Sequence, residues 1–430
     1  MFDERVRFTP WWWEAAPPEA AEPPPVPKSI DVAVVGSGYT GLSAALTLAR
    51  AGRSVAVLEA QALGHGASTR NGGQVGSGNQ KFTVRRLVEL YGEAKARALV
   101  NEGTAMLSYI AELIDREGIA CDFRRVGRFR GCMHPAHYES MARGMEDLKR
   151  YAGVEFFMVP RNEQHAEIGS DRYFGGSVLP NDAALHPGLY HKGLVERVRA
   201  AGALLLPFTP VTGTAREGPR VRVHTSRGAI EARDVVIATN GYTTGALPWV
   251  RQRVIPIGSA IIATEELAPE RIARLMPKGR VYGNSARVFH YFRPSPDGRR
   301  MVWGGRVGRL ASQGSSAAYE HLRRDMAAVF PDLEGVRVTH CWSGNIAYTH
   351  DTMPHIGCHD GIHYATGYCG TGVSRSTYFG HKVALKVLGD PEGRTAFDDL
   401  EFRTHPFHWA TPLAVPVVET WYRIRDALGP

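Results

Sequence analysis

Apolar and polar positions change period several times along this 430-residue chain, and the changes mark its elements. The first continuous apolar run is Val32-Ala-Val-Val35, entered from Asp31. With no polar face, it predicts a strand buried on both sides, as in a parallel sheet. The run breaks into Gly36-Ser37-Gly38-Tyr39-Thr40-Gly41, and a helical pattern follows from Leu42 to Ala51, stopped by Gly52. Ser54-Val-Ala-Val-Leu58 reads as a second buried strand and ends on Glu59. Strand, glycine turn, helix and strand together predict a βαβ unit.

Downstream, the period turns helical from Val84 to about Met145, with Leu87-Val-Glu-Leu90 and then Ala94 to Ile114, while Asp122 to Phe129 reads as a strand. A helix from Gly188 to Ala201 runs into Ala203-Leu-Leu-Leu206 and Thr209-Pro-Val211-Thr212. Val221 to Thr225 and Ala229 to Ala232 predict a meander, and Asp234-Val-Val-Ile-Ala238 a buried strand that ends in Thr239-Asn240-Gly241. Val254 to Glu265 and Ala286 to Gly305 alternate as antiparallel strands, the second stretch folding about the turn Pro296-Asp-Gly298. Period two puts His290 and Phe292 on one face there, and Phe289, Tyr291 and Arg293 on the other. It leaves open which face points inward. A last strand from Tyr364 feeds Gly370-Thr371-Gly372-Val373 and a helix from Ser376 to Leu388.

Both ends are distinctive. Residues 10–27 are rich in Pro and hold Trp11-Trp12-Trp13, which predicts an extended arm docking its tryptophans on the body or on a partner subunit. The tail from Phe397 carries Phe407-His-Trp409 and Trp421-Tyr-Arg423 and reads as a packed cap rather than a membrane anchor.

Composition narrows the class. The length fits two structural lobes, and 43% hydrophobic with 22% charged residues is ordinary for a globular protein. No apolar run has the length of a membrane span, and Met1-Phe-Asp-Glu-Arg5 lacks the pattern of a secretory signal. The net charge of +8 is scattered rather than clustered, which argues against a nucleic-acid partner. Five cysteines (Cys121, Cys132, Cys341, Cys358 and Cys369) form no C-x-x-C pair, so neither a disulfide framework nor a metal site is expected. Cytoplasmic residence is the simplest expectation.

The chemistry lies in the first unit. Gly36 permits the tight turn, Gly38 lets the backbone approach a pyrophosphate, and Gly41 lets the helix pack on the strand, while the helix N-terminus supplies free N–H groups. Ser37, Tyr39 and Thr40 complete this turn. Glu59, 18 residues after Gly41 and followed by Ala60, sits where a carboxylate accepts from ribose hydroxyls and repels a 2′-phosphate. The next stretch, Ala67-Ser68-Thr69-Arg70-Asn71-Gly72-Gly73-Gln74, has no hydrophobic period. Crowded with glycine and hydrogen-bonding side chains, it suits a bulky, permanently held dinucleotide, and so points to FAD.

These stretches resemble the N-terminal FAD motif of the D-amino-acid-oxidase-like amine oxidoreductases, which include glycine and sarcosine oxidases. The resemblance extends through Cys121-Asp-Phe-Arg124, Ser170-Asp-Arg-Tyr173, His186-Pro187, Trp342-Ser-Gly-Asn345 and Gly367-Tyr-Cys-Gly-Thr-Gly-Val373. Over nearly the full length it is closest to the gamma-glutamylputrescine oxidoreductase branch. It implies an α/β (α+β) fold: a Rossmann-like FAD-binding domain from residues 28–83, 178–245 and 342–392, with a substrate domain from 84–177 and 246–341 on a large mixed or antiparallel sheet. Residues 1–27 are then the arm and 393–430 the cap.

The resemblance also implies roles. Val211 meets the adenine, Thr239, Asn240 and Gly241 form a second FAD motif, and Gly370 to Val373 aim N–H groups at the flavin pyrimidine edge. Arg70 matches a flavin-proximal arginine, the alternative being a structural arginine that pairs with phosphate or Glu59. His290, Tyr291, Arg293 and His350 are candidates for the substrate wall. Cys341 matches the flavin-linking cysteine of sarcosine oxidase, the alternative being a buried free thiol. The lysine with which sarcosine oxidases bind a substrate carboxylate falls here on Ser374, which favours a longer amine. The implied reaction is FAD-dependent oxidation of a C–N bond by hydride transfer to flavin N5, giving an imine that hydrolyses to an aldehyde, with O2 or a quinone as acceptor and a place in polyamine catabolism. Two alternatives stay open. One is an amino-acid enzyme of the D-amino-acid, sarcosine or glycine type, with Arg293 or Arg375 clamping a carboxylate; the other is a non-catalytic flavin-binding subunit.

Overall fold

The computed structural model describes residues 1–77, 81–306, 314–410, 417–418, 420–422 and 424–426. The chain opens with β1 (Phe2–Arg7), then forms β2 (Ser29–Val35), α1 (Tyr39–Arg50) and β3 (Val55–Leu58). The short β4 (Gln74–Val75) precedes helices α2 (Val84–Tyr91) and α3 (Glu93–Arg116). Next come β5 (Arg128–Gly131), α4 (Pro135–Ala152), β6 (Phe157–Val159), β7 (Gly176–Leu179) and β8 (Ala183–Ala184). Helix α5 (Pro187–Ala200) leads to β9 (Leu204–Leu206), β10 (Val211–Glu217), β11 (Arg220–Thr225) and β12 (Gly228–Ile237). Then follow α6 (Pro248–Arg251), β13 (Val254–Thr264), α7 (Pro269–Leu275), β14 (Val281–Asn284), β15 (Tyr291–Pro294), β16 (Met301–Arg306) and α8 (Glu320–Val329). The last elements are β17 (Val338–Thr349), β18 (His355–His359), β19 (Ile362–Thr366) and α9 (Gly372–Leu388).

Two large sheets organise the molecule. In the first, β12, β2, β3 and β9 run parallel side by side, with β11 and β10 continuing one edge as a meander. β19 joins it parallel to β12. The apolar runs of β2 and β3 have no polar face because both sides are buried: α1, α3, α5 and α9 share a core with Val32, Val34, Val55 and Val57, while Ala33, Val35, Ala56 and Leu58 pack in a second core with Leu247 and Phe402. This is the mixed α/β, Rossmann-like arrangement the glycine motif predicts.

The second sheet has nine strands in the order β1-β17-β13-β16-β15-β14-β5-β7-β6. Its register sorts the side chains into two faces. Cys341, Ile262, Trp303, Phe292, Tyr282 and Phe129 lie opposite one another across successive strands and pack in one core with Leu322 and Met326 of α8. The next row, Trp342, Ile261, Gly304, Tyr291, Gly283 and Arg130, faces the other way, toward the first sheet.

The sequence reading and the structure differ in places. The strand expected over Asp122–Phe129 begins only at Arg128, because Gly127 takes a positive φ of 71° that breaks an extended run. β17 carries residues 342–349 within the nine-stranded sheet, beyond the boundary expected at 342. In the tail, Trp409 and Trp421 are exposed and Arg423 lies outside the described residues. Among the described residues no helix is long and apolar enough to cross a membrane.

Close backbone packing fixes how α1 and α9 meet. A Cβ on Gly380 would lie 2.3 Å from the Thr40 carbonyl oxygen, and one on Gly41 would lie 1.9 Å from the Gly36 oxygen. Gly380→Ala is therefore expected to cost about 1–3 kcal/mol, read as a lower denaturation midpoint. Gly144→Ala, a helical position where an added Cβ meets nothing within 4 Å, is expected to leave the midpoint unchanged or raise it.

Candidate active site

A cavity of about 1020 Å³ lies between the two sheets. One wall comes from the glycine turns of the first sheet, the other from the Tyr291 face of the second. Its volume is at the upper end for small-molecule sites, enough for a dinucleotide and a substrate together.

The turns form a cradle. Gly36 has φ of +103°, and a Cβ there would stand 3.0 Å from the Ala238 oxygen, so only glycine closes the turn after β2. A Cβ on Gly38 would meet the Ser68 hydroxyl at 3.0 Å, and that hydroxyl accepts from the Tyr39 N–H at 2.9 Å. Glu59 is oriented by Ser37, whose N–H and hydroxyl donate to Oε2 at 2.9 and 2.7 Å, and by the Gln61 N–H at 3.1 Å on Oε1. A carboxylate has about four acceptor positions, so one is left for a ribose hydroxyl. A dinucleotide fits here: backbone N–H groups free of side chains at the turn, and an oriented acid at the end of β3.

The segment Ala67–Gln74 crosses beneath the second sheet, and three indole N–H groups hold it. Trp12 donates to the Asn71 carbonyl at 2.9 Å, Trp13 to the Thr69 hydroxyl at 2.9 Å, and Trp342 to the Arg70 carbonyl at 2.8 Å. The N-terminal arm thus docks on the body, with Trp12 fully buried. Arg70 is held on its Nε by the His65 carbonyl at 2.7 Å and on Nη1 by the Ser343 carbonyl at 3.1 Å, with its guanidinium 4.6 Å from the Trp13 ring centre. Its partners are therefore backbone oxygens, the His65 ring nitrogen at 3.3 Å and an indole face, not Glu59.

The opposite wall offers a pair of neutral hydroxyls, Tyr291 and Ser259, 2.9 Å apart. Cations surround them. Arg306 donates to the Tyr348 hydroxyl at 2.6 Å, and Arg128 pairs with Asp182 at 2.6 Å and reaches the Gln74 amide oxygen at 2.8 Å. The Lys81 ammonium lies 5.0 Å from the Phe289 ring centre. Lys81 opens onto the cavity interior while protein surrounds it; desolvation, with repulsion from Arg375, Arg306 and Arg130, brings its pKa down to about 8.

Of the sequence candidates, Gly36, Gly38, Tyr39, Thr40, Glu59, Ala60, Ala67, Ser68, Arg70, Asn71, Gly72 and Gln74 line the cavity. So do Val211, Thr239, Asn240, Gly370, Thr371, Gly372, Val373 and Tyr291. Ser37, Gly41, Thr69, Gly73 and Gly241 stand behind it and shape the turns.

Four candidates lie elsewhere. His290 is on the far face of the sheet, its Nε2 3.0 Å from Asp325 and its ring beside Trp303. Arg293 shares the face of Tyr291 but is 5% exposed and bonds the Gly73 and Leu185 carbonyls at 3.0 and 2.8 Å, which makes it a clamp on the segment. His350 is exposed, with its ring 6.0 Å from that of His405. Cys341 faces the core behind the sheet, where burial pushes its thiol up to about 12, so neither its direction nor its ionisation suits a flavin link. Arg375, fully buried, donates to the Tyr368 carbonyl at 3.0 Å and does not line the cavity. Lys81, Arg128, Arg130, Ser259, Arg306 and Tyr348 line it without having been singled out by the sequence. Only the register of distant strands brings them together.

Comparison with known proteins agrees with this geometry. The family described as "DAO: FAD dependent oxidoreductase" matches residues 31–385. Gamma-glutamylputrescine oxidoreductase of Escherichia coli (strain K12) is 33% identical over 408 residues, covering 93% of this chain and 93% of its own. Glycine oxidase of Bacillus licheniformis is 26% identical over 376 residues, covering 85% of this chain and 94% of its own. The crystal structure of glycine oxidase from Geobacillus kaustophilus shares the fold with a TM-score of 0.72 at 22% identity, covering 88% of this chain and 99% of that one. The chain belongs to the DAO family of FAD-dependent oxidoreductases: its cofactor is FAD, and it is an enzyme that oxidises amine or amino-acid C–N donors.

Two predictions follow from the site. Trp12→Phe with Trp13→Phe removes two indole donors, each worth about 0.5–1.5 kcal/mol. Release of FAD, followed by its fluorescence, is expected to show dissociation weakened about tenfold or more, with the sheet content by circular dichroism unchanged. The second concerns Lys81, whose folded pKa of about 8 lies below the ordinary 10.5. Its charged form therefore penalises the folded state below about pH 8, and the penalty fades as pH rises toward 10.5. Lys81→Met is expected to raise the melting temperature of the flavin-free protein at pH 7, and the gain should shrink toward pH 10.5.

Proposed function

We propose that this DAO-family enzyme oxidises the C–N bond of a long-chain amine of the gamma-glutamylputrescine type, giving an imine that water hydrolyses to an aldehyde and the released amine, as a step in polyamine breakdown. When bound, FAD supplies the hydride acceptor at N5 and passes the electrons to O2 or a quinone.

The observation that carries this reading is the charge on the cavity wall. Arg70, Lys81, Arg128, Arg130 and Arg306 line it, against the two carboxylates of Glu59 and Asp182. Both carboxylates are engaged, one by Ser37 and Gln61 and the other by Arg128. An ammonium among these cations loses its proton more readily, because like charges disfavour the charged form. The neutral amine is the form from whose neighbouring carbon a hydride leaves. Ser259 donates to the Gly305 carbonyl at 3.1 Å and accepts from Tyr291, so the two hydroxyls present acceptor oxygens to the amine N–H groups and orient it. Positive charge along the wall also favours electron arrival on the cofactor side.

Two further observations support an amine over a small amino acid. Of the two arginines that an amino-acid reading would recruit for the carboxylate, Arg293 is taken up by backbone carbonyls and Arg375 is fully buried, and neither lines the cavity. The relative at 33% identity is named for a gamma-glutamylated polyamine.

The test is anaerobic bleaching of the bound flavin. Gamma-glutamylputrescine or a similar long amine is expected to bleach it rapidly, and sarcosine and D-alanine to leave it oxidised. Reduction by amino acids alone would replace this reading with the amino-acid one, and re-oxidation on admitting air would identify O2 as acceptor. Tyr291→Phe, which deletes the hydroxyl partner of Ser259, is expected to slow the limiting reduction about tenfold, the equivalent of one net hydrogen bond, with the oxidised flavin spectrum unchanged.

A further inference from the structure

We propose that Lys81, Arg130 and Arg306 form an anion subsite that receives a carboxylate at the end of the substrate remote from the amine. The proposal rests on the reading of this cavity as the place of amine oxidation, and it adds what selects the amine.

The register of the second sheet aims the arginines. Arg306 lies opposite Ser259, and Arg130 lies in the row of Gly283 and Tyr291, so both side chains leave the sheet on the cavity face. Arg306 and Lys81 flank one ring, with the Arg306 guanidinium 5.1 Å and the Lys81 ammonium 6.0 Å from the centre of Tyr348. Phe289 presents a second face to Lys81 at 5.0 Å. Aromatic faces compensate a cation only in part.

No carboxylate pairs with any of the three among the described residues, whereas the neighbouring Arg128 is matched by Asp182 at 2.6 Å. Arg130 makes one long bond, 3.4 Å to the Asn284 carbonyl. Three cations facing one cavity without a counter-charge repel one another and are unfavourable as they stand. Desolvation and the repulsion of Arg375, Arg306 and Arg130 on Lys81 are the same cost seen from one member. A carboxylate entering the cavity supplies the missing charge through charge-assisted bonds.

Arg306, opposite Ser259, lies beside the place of the amine, and the far end of the subsite at Arg130 is separate from it. An amine settles at the neutral Tyr291–Ser259 pair, since the cations repel its protonated form. From Tyr291 on β15, Arg130 on β5 is two strands away across β14, about 10 Å at the usual strand spacing. A chain of several bonds must therefore join amine and carboxylate, as in a polyamine acylated by a dicarboxylic acid. Free polyamines are cationic at both ends and meet the same charges as a barrier.

The test uses ligands that cannot be oxidised, so that binding is read apart from turnover. Flavin-loaded protein is titrated by calorimetry with N-butylglutaramate, which has the chain and the carboxylate but no amine, and with N-butylpentanamide, in which a methyl group replaces the carboxylate. The wild type is expected to bind the carboxylate at least about tenfold more tightly. Lys81→Met and Arg130→Met should each erase most of that difference, while Arg130→Lys keeps part of it. Equal affinity for the two ligands in the wild type would overturn the subsite whatever the variants do, as would undiminished discrimination in variants that retain their flavin. Failure of every amine to bleach the flavin would instead overturn the reading of the reaction, and this titration does not depend on it.

Discussion

The two-residue alternation of the nine-stranded sheet is the constraint on which the rest of the molecule depends. Cys341, Ile262, Trp303, Phe292, Tyr282 and Phe129 form one continuous apolar row that α8 covers, and burying that row fixes the register. A slip of one residue would expose it entirely and turn the polar row into the core. Because the apolar row is fixed, Tyr291, Arg130, Ser259 and Arg306 have no choice but to face the first sheet. The chemistry of the wall is thus a by-product of packing on the opposite side. Glycines in the polar row leave it room: a Cβ on Gly304 would stand 2.3 Å from the Tyr291 ring.

The seam between the sheets is the segment from Ala67 to Gln74. It has almost no regular structure of its own: Trp12, Trp342 and Arg293 donate to its backbone carbonyls, Trp13 to the Thr69 hydroxyl, and its own Gln74 amide reaches the Tyr282 and Phe292 carbonyls at 3.2 and 3.1 Å. This explains the arm at the start of the chain. β1 extends the second sheet beside β17, and the tryptophans that follow reach the segment lining the cofactor cradle. One short stretch thereby joins the sheet edge to the cofactor site.

Local chemistry was legible in the sequence, and long-range chemistry was not. The cradle could be read from Gly36, Gly38, Gly41 and Glu59 because a turn without Cβ atoms and an acid at a strand end are local requirements. The docking of Trp11–Trp13 could be read from the improbability of leaving them in water. Lys81, Arg306 and Tyr348 carry no local signature; they meet only through strands far apart in sequence. The misplaced candidates share one cause. His290 and Cys341 sit one residue from Tyr291 and Trp342, and period two states that neighbours diverge without saying which of them turns inward. Arg293 is on the correct face but is consumed by backbone carbonyls, a fate no sequence pattern distinguishes from a free guanidinium.

An FAD cradle made of backbone thus meets a substrate wall made of cations and two neutral hydroxyls. We place the flavin between the Ala67–Gln74 segment and the Tyr291 face, without a covalent bond to the chain. The measurement to make is the crystal structure of the flavin-loaded protein. Ring density is expected in the cavity against this segment, with Tyr291 and Ser259 on its open side and the Cys341 sulfur separate behind the sheet. Ring density outside that cavity, or continuous density from flavin to Cys341, would contradict this placement.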